Sequence, residues 1–273
     1  MARRCDRRRV ASPNQAPLLK RTRWLLAAVA VDLVHVSVAH ACGVSASGAP
    51  AGICDASDAI DDKAAAARNR IGASFGYTSS VLLFSDGLRA PTERDTVMVS
   101  FEHPMRDKRG SRWTLEFGAG SLLGGFLQTG PSSQATFSPG VIADVSLSHL
   151  IIEPHGYASP FLLLSFTLAG VWSRTSSAAM DADYVAFDFS ADVAAGVSMR
   201  MKRQAITPFL AGRLFGGPVF WTHTTNAVLG MDAYHYSLGP GLALSLDRSR
   251  VGLSLGCSLL GEKNLRAGVS VAF

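Results

Sequence analysis

The chain has 273 residues, of which 48% are hydrophobic and only 17% charged, and it carries a formal charge of +5 at neutral pH. Eight basic groups (Arg3, Arg4, Arg7, Arg8, Arg9, Lys20, Arg21, Arg23) stand in residues 1–41 against Asp6 and Asp32, a net of +6 that leaves −1 for the rest. The basicity therefore belongs to the N-terminal segment, and a nucleic-acid partner is set aside.

Residues 1–41 show the three parts of a secretory signal: a basic stretch through Arg23, an apolar run from Trp24 to Val38, and Ala39-His40-Ala41 as a small-x-small cleavage site. The apolar run is short for a helix that must cross roughly 30 Å of hydrocarbon, so cleavage is expected rather than a retained anchor. Cys42 directly after the site raises a lipoprotein alternative, which His40 fits poorly. Cys5 leaves with the signal. Cys42 and Cys54 bracket a loop of small residues, a pair that an oxidising compartment can close into a disulfide. Cys257 falls on the apolar side of a strand and reads as a small hydrophobe. Residues 42–69 form a periplasmic lead-in, where Asp58, Asp61, Asp62 and Ala64–Ala67 predict a short helix without a core of its own.

From residue 70 onward the pattern has period two, the mark of strands with two unlike faces. At the end of the chain Leu265, Ala267, Val269, Val271 and Phe273 alternate with Arg266, Gly268, Ser270 and Ala272. Val251, Leu253, Leu255, Cys257 and Leu259 oppose Gly252, Ser254, Gly256 and Ser258, and Tyr236, Leu238, Leu242, Leu244 and Leu246 oppose Ser237, Gly239, Gly241, Ala243 and Ser245. Val185, Phe187, Phe189, Val193, Val197 and Met199 oppose Asp188, Ser190, Asp192, Gly196, Ser198 and Arg200. Weaker alternation at about 70–84, 94–106, 112–122, 136–150, 160–173 and 206–216 brings the expected total to about ten strands, with eight and twelve as neighbouring counts.

A soluble sandwich would carry Lys and Glu on its second face. Here that face is Gly, Ser and Ala with a few charges, which suits an all-β, transmembrane, antiparallel up-and-down β-barrel over residues 70–273, greasy outside and narrow inside. Closure also satisfies every backbone hydrogen bond, as lipid requires. Connector lengths agree: compact turns at 106–110, 152–159, 202–205 and 247–250 alternate with longer stretches at about 84–94, 123–135, 174–184 and 217–235, the latter expected as outer loops.

The alternating segment Leu265–Phe273 with its terminal aromatic is similar to the signal that barrel-assembly machinery reads. On that ground the chain resembles small bacterial outer-membrane barrels, such as the outer-membrane protein A transmembrane domain or the omptin-type barrels. The resemblance covers the architecture of residues 70–273 and carries over no functional motif. It implies an outer-membrane location, with lipid, lipopolysaccharide and the assembly machinery as partners.

By parity, Arg70, Glu102, Arg112, Glu116, Asp144, Asp188, Asp192, Arg200, Arg213 and Arg266 face the lumen. Isolated charges there would be costly, so a mutually paired network is expected. The functional version is a polar path or gate for a small solute, with Asp188 and Asp192 first to test. His235 and Ser237 share a strand face with the spacing seen in lipid A deacylase-type barrels, and His can activate a neighbouring Ser. The flanking residues of that motif are missing, and no acid is placed to orient the His. Asp181, Asp183, His223 and Asp232 are further acids and imidazoles near the outer rim. Phe215, Phe220, Trp221, Trp172 and Tyr184 read as an interfacial aromatic girdle. No metal-ligand spacing, phosphate loop or cofactor motif is present. The sequence thus favours a non-enzymatic channel, surface-binding barrel or structural membrane component acting on an unnamed solute or ligand. A barrel hydrolase and a soluble periplasmic β-sandwich are the alternatives.

Overall fold

The computed structural model describes Ile53 and residues 68–106, 112–130, 132–155, 157–177, 181–201, 204–223, 226–246 and 250–273. The signal segment and the Cys42–Cys54 pair lie outside these residues, as do residues 55–67, where the lead-in helix is expected.

Fourteen strands are assigned: β1 (Arg70–Phe84), β2 (Arg89–Arg106), β3 (Arg112–Gln128), β4 (Gln134–Phe137), β5 (Gly140–Ile152), β6 (Ala158–Ser176), β7 (Asp181–Met201), β8 (Gln204–Gly216), β9 (Val219–His223), β10 (Asn226–Asp232), β11 (Tyr236–Leu246), β12 (Val251–Ser258), β13 (Leu260–Gly261) and β14 (Lys263–Ala272). They reduce to ten staves, because four of the interruptions do not turn the chain. β4 and β5 pair with β3 in one register, from Gln128↔Gln134 to Leu122↔Gly140. β8 and β9 likewise share a register on β7, through Phe189↔Gly216 and Ala186↔Val219. β10–β11 and β12–β13 are single staves with a one-residue irregularity.

All pairings are antiparallel between sequence neighbours, and the ring closes where β14 meets β1, from Arg70↔Ala272 to Ser79↔Lys263. Above that point β1 has a second partner. Leu82, Leu83 and Phe84 pair with Asp232, Met231 and Gly230 of β10. The β12–β14 hairpin is shorter than its neighbours, so the wall has ten staves at the end of Arg70 and Ala272, the terminal end of the barrel, and eight at the opposite end.

The side chains are arranged inside out relative to a soluble protein. Ile71, Phe75, Val99, Phe117, Val141, Phe166, Phe189, Leu210, Leu214, Leu255 and Leu265 are all exposed on the outer wall. Arg70, Ser74, Thr78, Ser100, Glu102, Glu116, Ser146, Ser165, Ser198 and Ser270 are buried. The oily faces of the staves do not meet one another across stacked sheets, so the β-sandwich alternative is overturned. Small inward residues are needed where the tube is tight. A Cβ on Gly118 would collide with the Asp144 carboxylate, and one on Gly241 with the Phe209 ring. The β2–β3 ladder slips by one residue between Asp95 and Thr96. Leu123 is the residue left without a partner, and nearby Gly125 stands at φ 126°, a backbone conformation that L side chains avoid and where an added Cβ would collide with the Glu93 carbonyl.

Among the described residues the long outer loops expected at 84–94, 123–135, 174–184 and 217–235 are not found. Strand pairing continues through most of these segments, and at 85–88 the chain makes a tight turn, where Asp86 Oδ1 accepts from the Leu88 amide at 3.0 Å. β6 and β7 reach 19 and 21 residues, about twice the 9–11 residues that a tilted strand needs to cross hydrocarbon. The excess length carries exposed polar groups at the outer ends of β2, β4, β6 and β7: Arg89, Gln134, Thr136, Asp181, and the pair Arg174–Asp183 at 3.3 Å. On the β9–β10–β1 side the outward residues at that height are Phe220, Leu229, Met231 and Leu83.

Candidate functional site

The lumen is layered. Its outer third is an apolar cluster of Leu82, Phe84, Ala90, Met98, Leu122, Leu127, Ala135, Phe137, Ile142, Ala182, Tyr184, Ala186, Val219 and Trp221, drawn from six of the eight staves there. Phe84 and Trp221 rings lie 5.6 Å apart, Tyr184 meets Phe137 edge-on at 5.0 Å, and the Trp221 indole donates to Thr175 Oγ1 at 2.9 Å. Three of the five residues expected on an outer girdle are therefore inside: Tyr184, Trp221 and Phe215 are buried, while Trp172 and Phe220 are exposed as expected. The parity that puts Asp188 inward on β7 also puts Tyr184 inward, and Arg213 fixes Phe215 in the same way.

Beneath the apolar layer lies a small cavity, whose wall includes Arg94, Tyr184, Asp188, Arg213, Asp232, Glu262 and Arg266. Arg213 is its hub. The guanidinium lies 3.6 Å from Asp192 and 3.7 Å from Glu262, makes a close ion pair with Asp188, and stacks 4.9 Å over the Phe215 ring. Asp192 also accepts from Ser190 at 3.1 Å, and Asp232 from Ser80 at 2.8 Å. Such multiple contacts are what a buried charge needs to offset desolvation.

A second polar layer lies toward the chain termini on β1, β2, β3 and β5, where Arg70, Glu102, Arg112, Glu116 and Asp144 are all buried. Glu102 sits directly opposite Glu116, and Arg70 opposite Glu102. Arg70 donates to Ser270 at 3.0 Å, and Arg112 lies 3.9 Å from Glu153. Between neighbouring staves, Ser146 bonds Thr167 at 2.7 Å and Ser198 bonds Thr207 at 2.8 Å. Arg200 is half-buried near the same end. An apolar group on the β5–β11 wall completes the filling: Leu150, Phe161, Leu163, Ala194, Phe209 and Ala243 bury Ile53 of the lead-in segment.

The remaining candidates separate. His235 is exposed and precedes β11, with its carbonyl accepting from the Phe215 amide, whereas Ser237 is buried opposite Arg213. The two do not share an inward face, and no nucleophile–base arrangement results. Cys257 faces outward, half-buried, and is a free thiol. Arg94, Asp232 and Glu262 belong to the central layer but were absent from the sequence reading of the lumen. Among the described residues no cluster of His, Cys, Asp and Glu is suited to a metal ion. Trp113 and His149 stack on the outer wall near the terminal end, with ring centroids 4.2 Å apart.

No protein-family model matches the chain, and no curated protein does. Among solved structures it is similar to the transport unit of the autotransporter AIDA-I from Escherichia coli, at 8% identity over 76% of this chain and 90% of that one with a TM-score of 0.47. It is also similar to Neisserial surface protein A, at 12% identity over 75% and 97% with a TM-score of 0.32, and to the Pseudomonas putida toluene transporter TodX, at 8% over 85% and 96% with a TM-score of 0.23. In architecture the chain is an antiparallel up-and-down β-barrel, similar to small outer-membrane barrels and without a specific functional family.

Proposed function

We propose that this chain is an integral outer-membrane β-barrel, non-enzymatic, whose lumen is shut to free diffusion and which works as a closed binding or structural barrel rather than an open pore. One observation carries the reading: a closed ring of staves exposes its apolar faces all round, while its interior is filled by an apolar plug above and charged layers below. In water that outer surface would be an aggregation site, far beyond the few hundred Å² of contiguous apolar patch a soluble monomer tolerates. In a bilayer it is the face that lipid requires. Export through a cleaved signal and insertion by the assembly machinery at Phe273 belong to the same proposal.

The plug decides between pore and closed barrel. Small barrels are filled by their own side chains, whereas wide ones leave an aqueous channel. The separation of His235 from Ser237 likewise favours the non-enzymatic reading. The test is reconstitution of the mature chain in planar bilayers beside a gel-mobility assay with and without heating. Heat-modifiable mobility with no steady conductance is expected, and stable open-pore conductance from the wild-type protein would defeat the closed-lumen reading.

A further inference from the structure

We propose that the central cavity is a binding site for a small zwitterion with an apolar body, a molecule that carries an ammonium and a carboxylate beside a hydrophobic group. The site resides in the closed lumen proposed above and rests on that reading.

The cavity presents three kinds of surface at once. Arg266 is 4% exposed, and its Nε, Nη1 and Nη2 donate no hydrogen bond; the Tyr184 hydroxyl is buried and likewise makes no hydrogen bond. These are free donors. Asp188 Oδ1 and Glu262 Oε1 are buried acceptors without a hydrogen bond. Leu122, Ile142, Val171, Phe215 and Val219 complete the wall, several of them forming the underside of the apolar plug.

Unmet polar groups of this kind are rare in folded proteins and ask for a partner. Leaving a charged group unsatisfied costs more than leaving a neutral one. The signs select the partner. Arg94, Arg213 and Arg266 face Asp188, Asp192, Asp232 and Glu262, a formal balance of −1, so a simple anion drawn to Arg266 would meet excess negative charge. A simple cation would satisfy the carboxylates and leave Arg266 alone. A zwitterion answers both, with its carboxylate on Arg266 and its ammonium on Asp188 and Glu262. Both contacts are charge-assisted, the stronger class of hydrogen bond. The apolar residues opposite take the hydrophobic body.

The test is calorimetric titration of the full mature chain, folded in detergent, with three matched probes: phenylalanine, 3-phenylpropionate and 2-phenylethylamine. Saturable binding of phenylalanine is expected, with each singly charged probe weaker by about tenfold or more, since each forgoes one charge-assisted contact. Arg266→Gln should weaken phenylalanine about tenfold or more on the same grounds, Arg266→Lys should restore part of the loss, and Arg174→Gln on the outer wall should change nothing. Heat-modifiable mobility of each variant shows that the barrel is formed. Absence of saturable binding, equal binding of a singly charged probe, or indifference to Arg266→Gln would each overturn the assignment. Conductance of the same wild-type preparation reports separately on whether the lumen is closed, so a failed site and a failed closed-barrel reading give different results.

Discussion

The outer third of the lumen and the layer beneath it solve the same packing problem in opposite ways. Above, Leu82, Met98, Leu122, Leu127, Phe137 and Trp221 fill the tube as the core of a soluble barrel would, through contacts that depend on volume and shape. Below, Arg213 holds Asp188, Asp192 and Glu262, and each member relies on another's charge. An apolar layer loses contacts in proportion to the atoms removed, whereas a charged layer fails when one partner is lost. The outer layer is accordingly a seal, and the central layer is where specificity can reside.

The contrast can be broken at its strongest point by Arg213→Met, which keeps side-chain volume and removes the hub cation. The carboxylates of half-buried Asp188 and buried Asp192 and Glu262 would then face one another, and a loss of about 3–5 kcal/mol is expected, read as a lowered midpoint of urea unfolding in lipid vesicles. A variant as stable as wild type would mean that the carboxylates do not depend on Arg213. Leu127→Ala in the seal, where the side chain is fully buried, should cost about 2–5 kcal/mol by transfer and cavity terms. It should also raise the frequency of brief conductance steps, an effect that Arg213→Met alone should not mimic if the seal is the barrier. The smallest effect sharpens the comparison from outside. Arg174 and Asp183 form a pair on the exposed wall, so Arg174→Ala should change stability by about 0.2–1 kcal/mol and less still in high salt. A loss above 2 kcal/mol, on the scale of the buried hub, would show that this wall is not water-facing.

The staves and their faces were legible because parity persists. Val185 to Met199 and Leu265 to Phe273 keep one face apolar without a break, and the inward placement of Glu102, Glu116 and Asp192 follows from counting by twos. The seal was harder to read. Leu82 and Phe84 continue the inward face of Ser74, Thr78 and Ser80, but an apolar residue on a polar face looks like the end of a strand and not a change of layer. Extending the parity of Glu102 back along β2 would have found Arg94. Glu262 sits in the turn beside Gly261, at φ 76°, where no period operates, and Asp232 lies on a stave that sequence alone presents as loop. Side-chain composition marks the bilayer-facing stripe plainly; it carries little trace of which inward residues meet from opposite walls.

The short β12–β14 hairpin has a consequence for the shape of the tube. Barrel diameter grows roughly linearly with strand number, so passing from ten staves to eight shrinks the cross-section to about two-thirds. The barrel is a funnel with its narrow mouth at the end remote from Arg70 and Ala272. The width of that mouth is set by a single hairpin, and lengthening it in frame so that it wedges fully between β10 and β1 would convert the funnel into a cylinder.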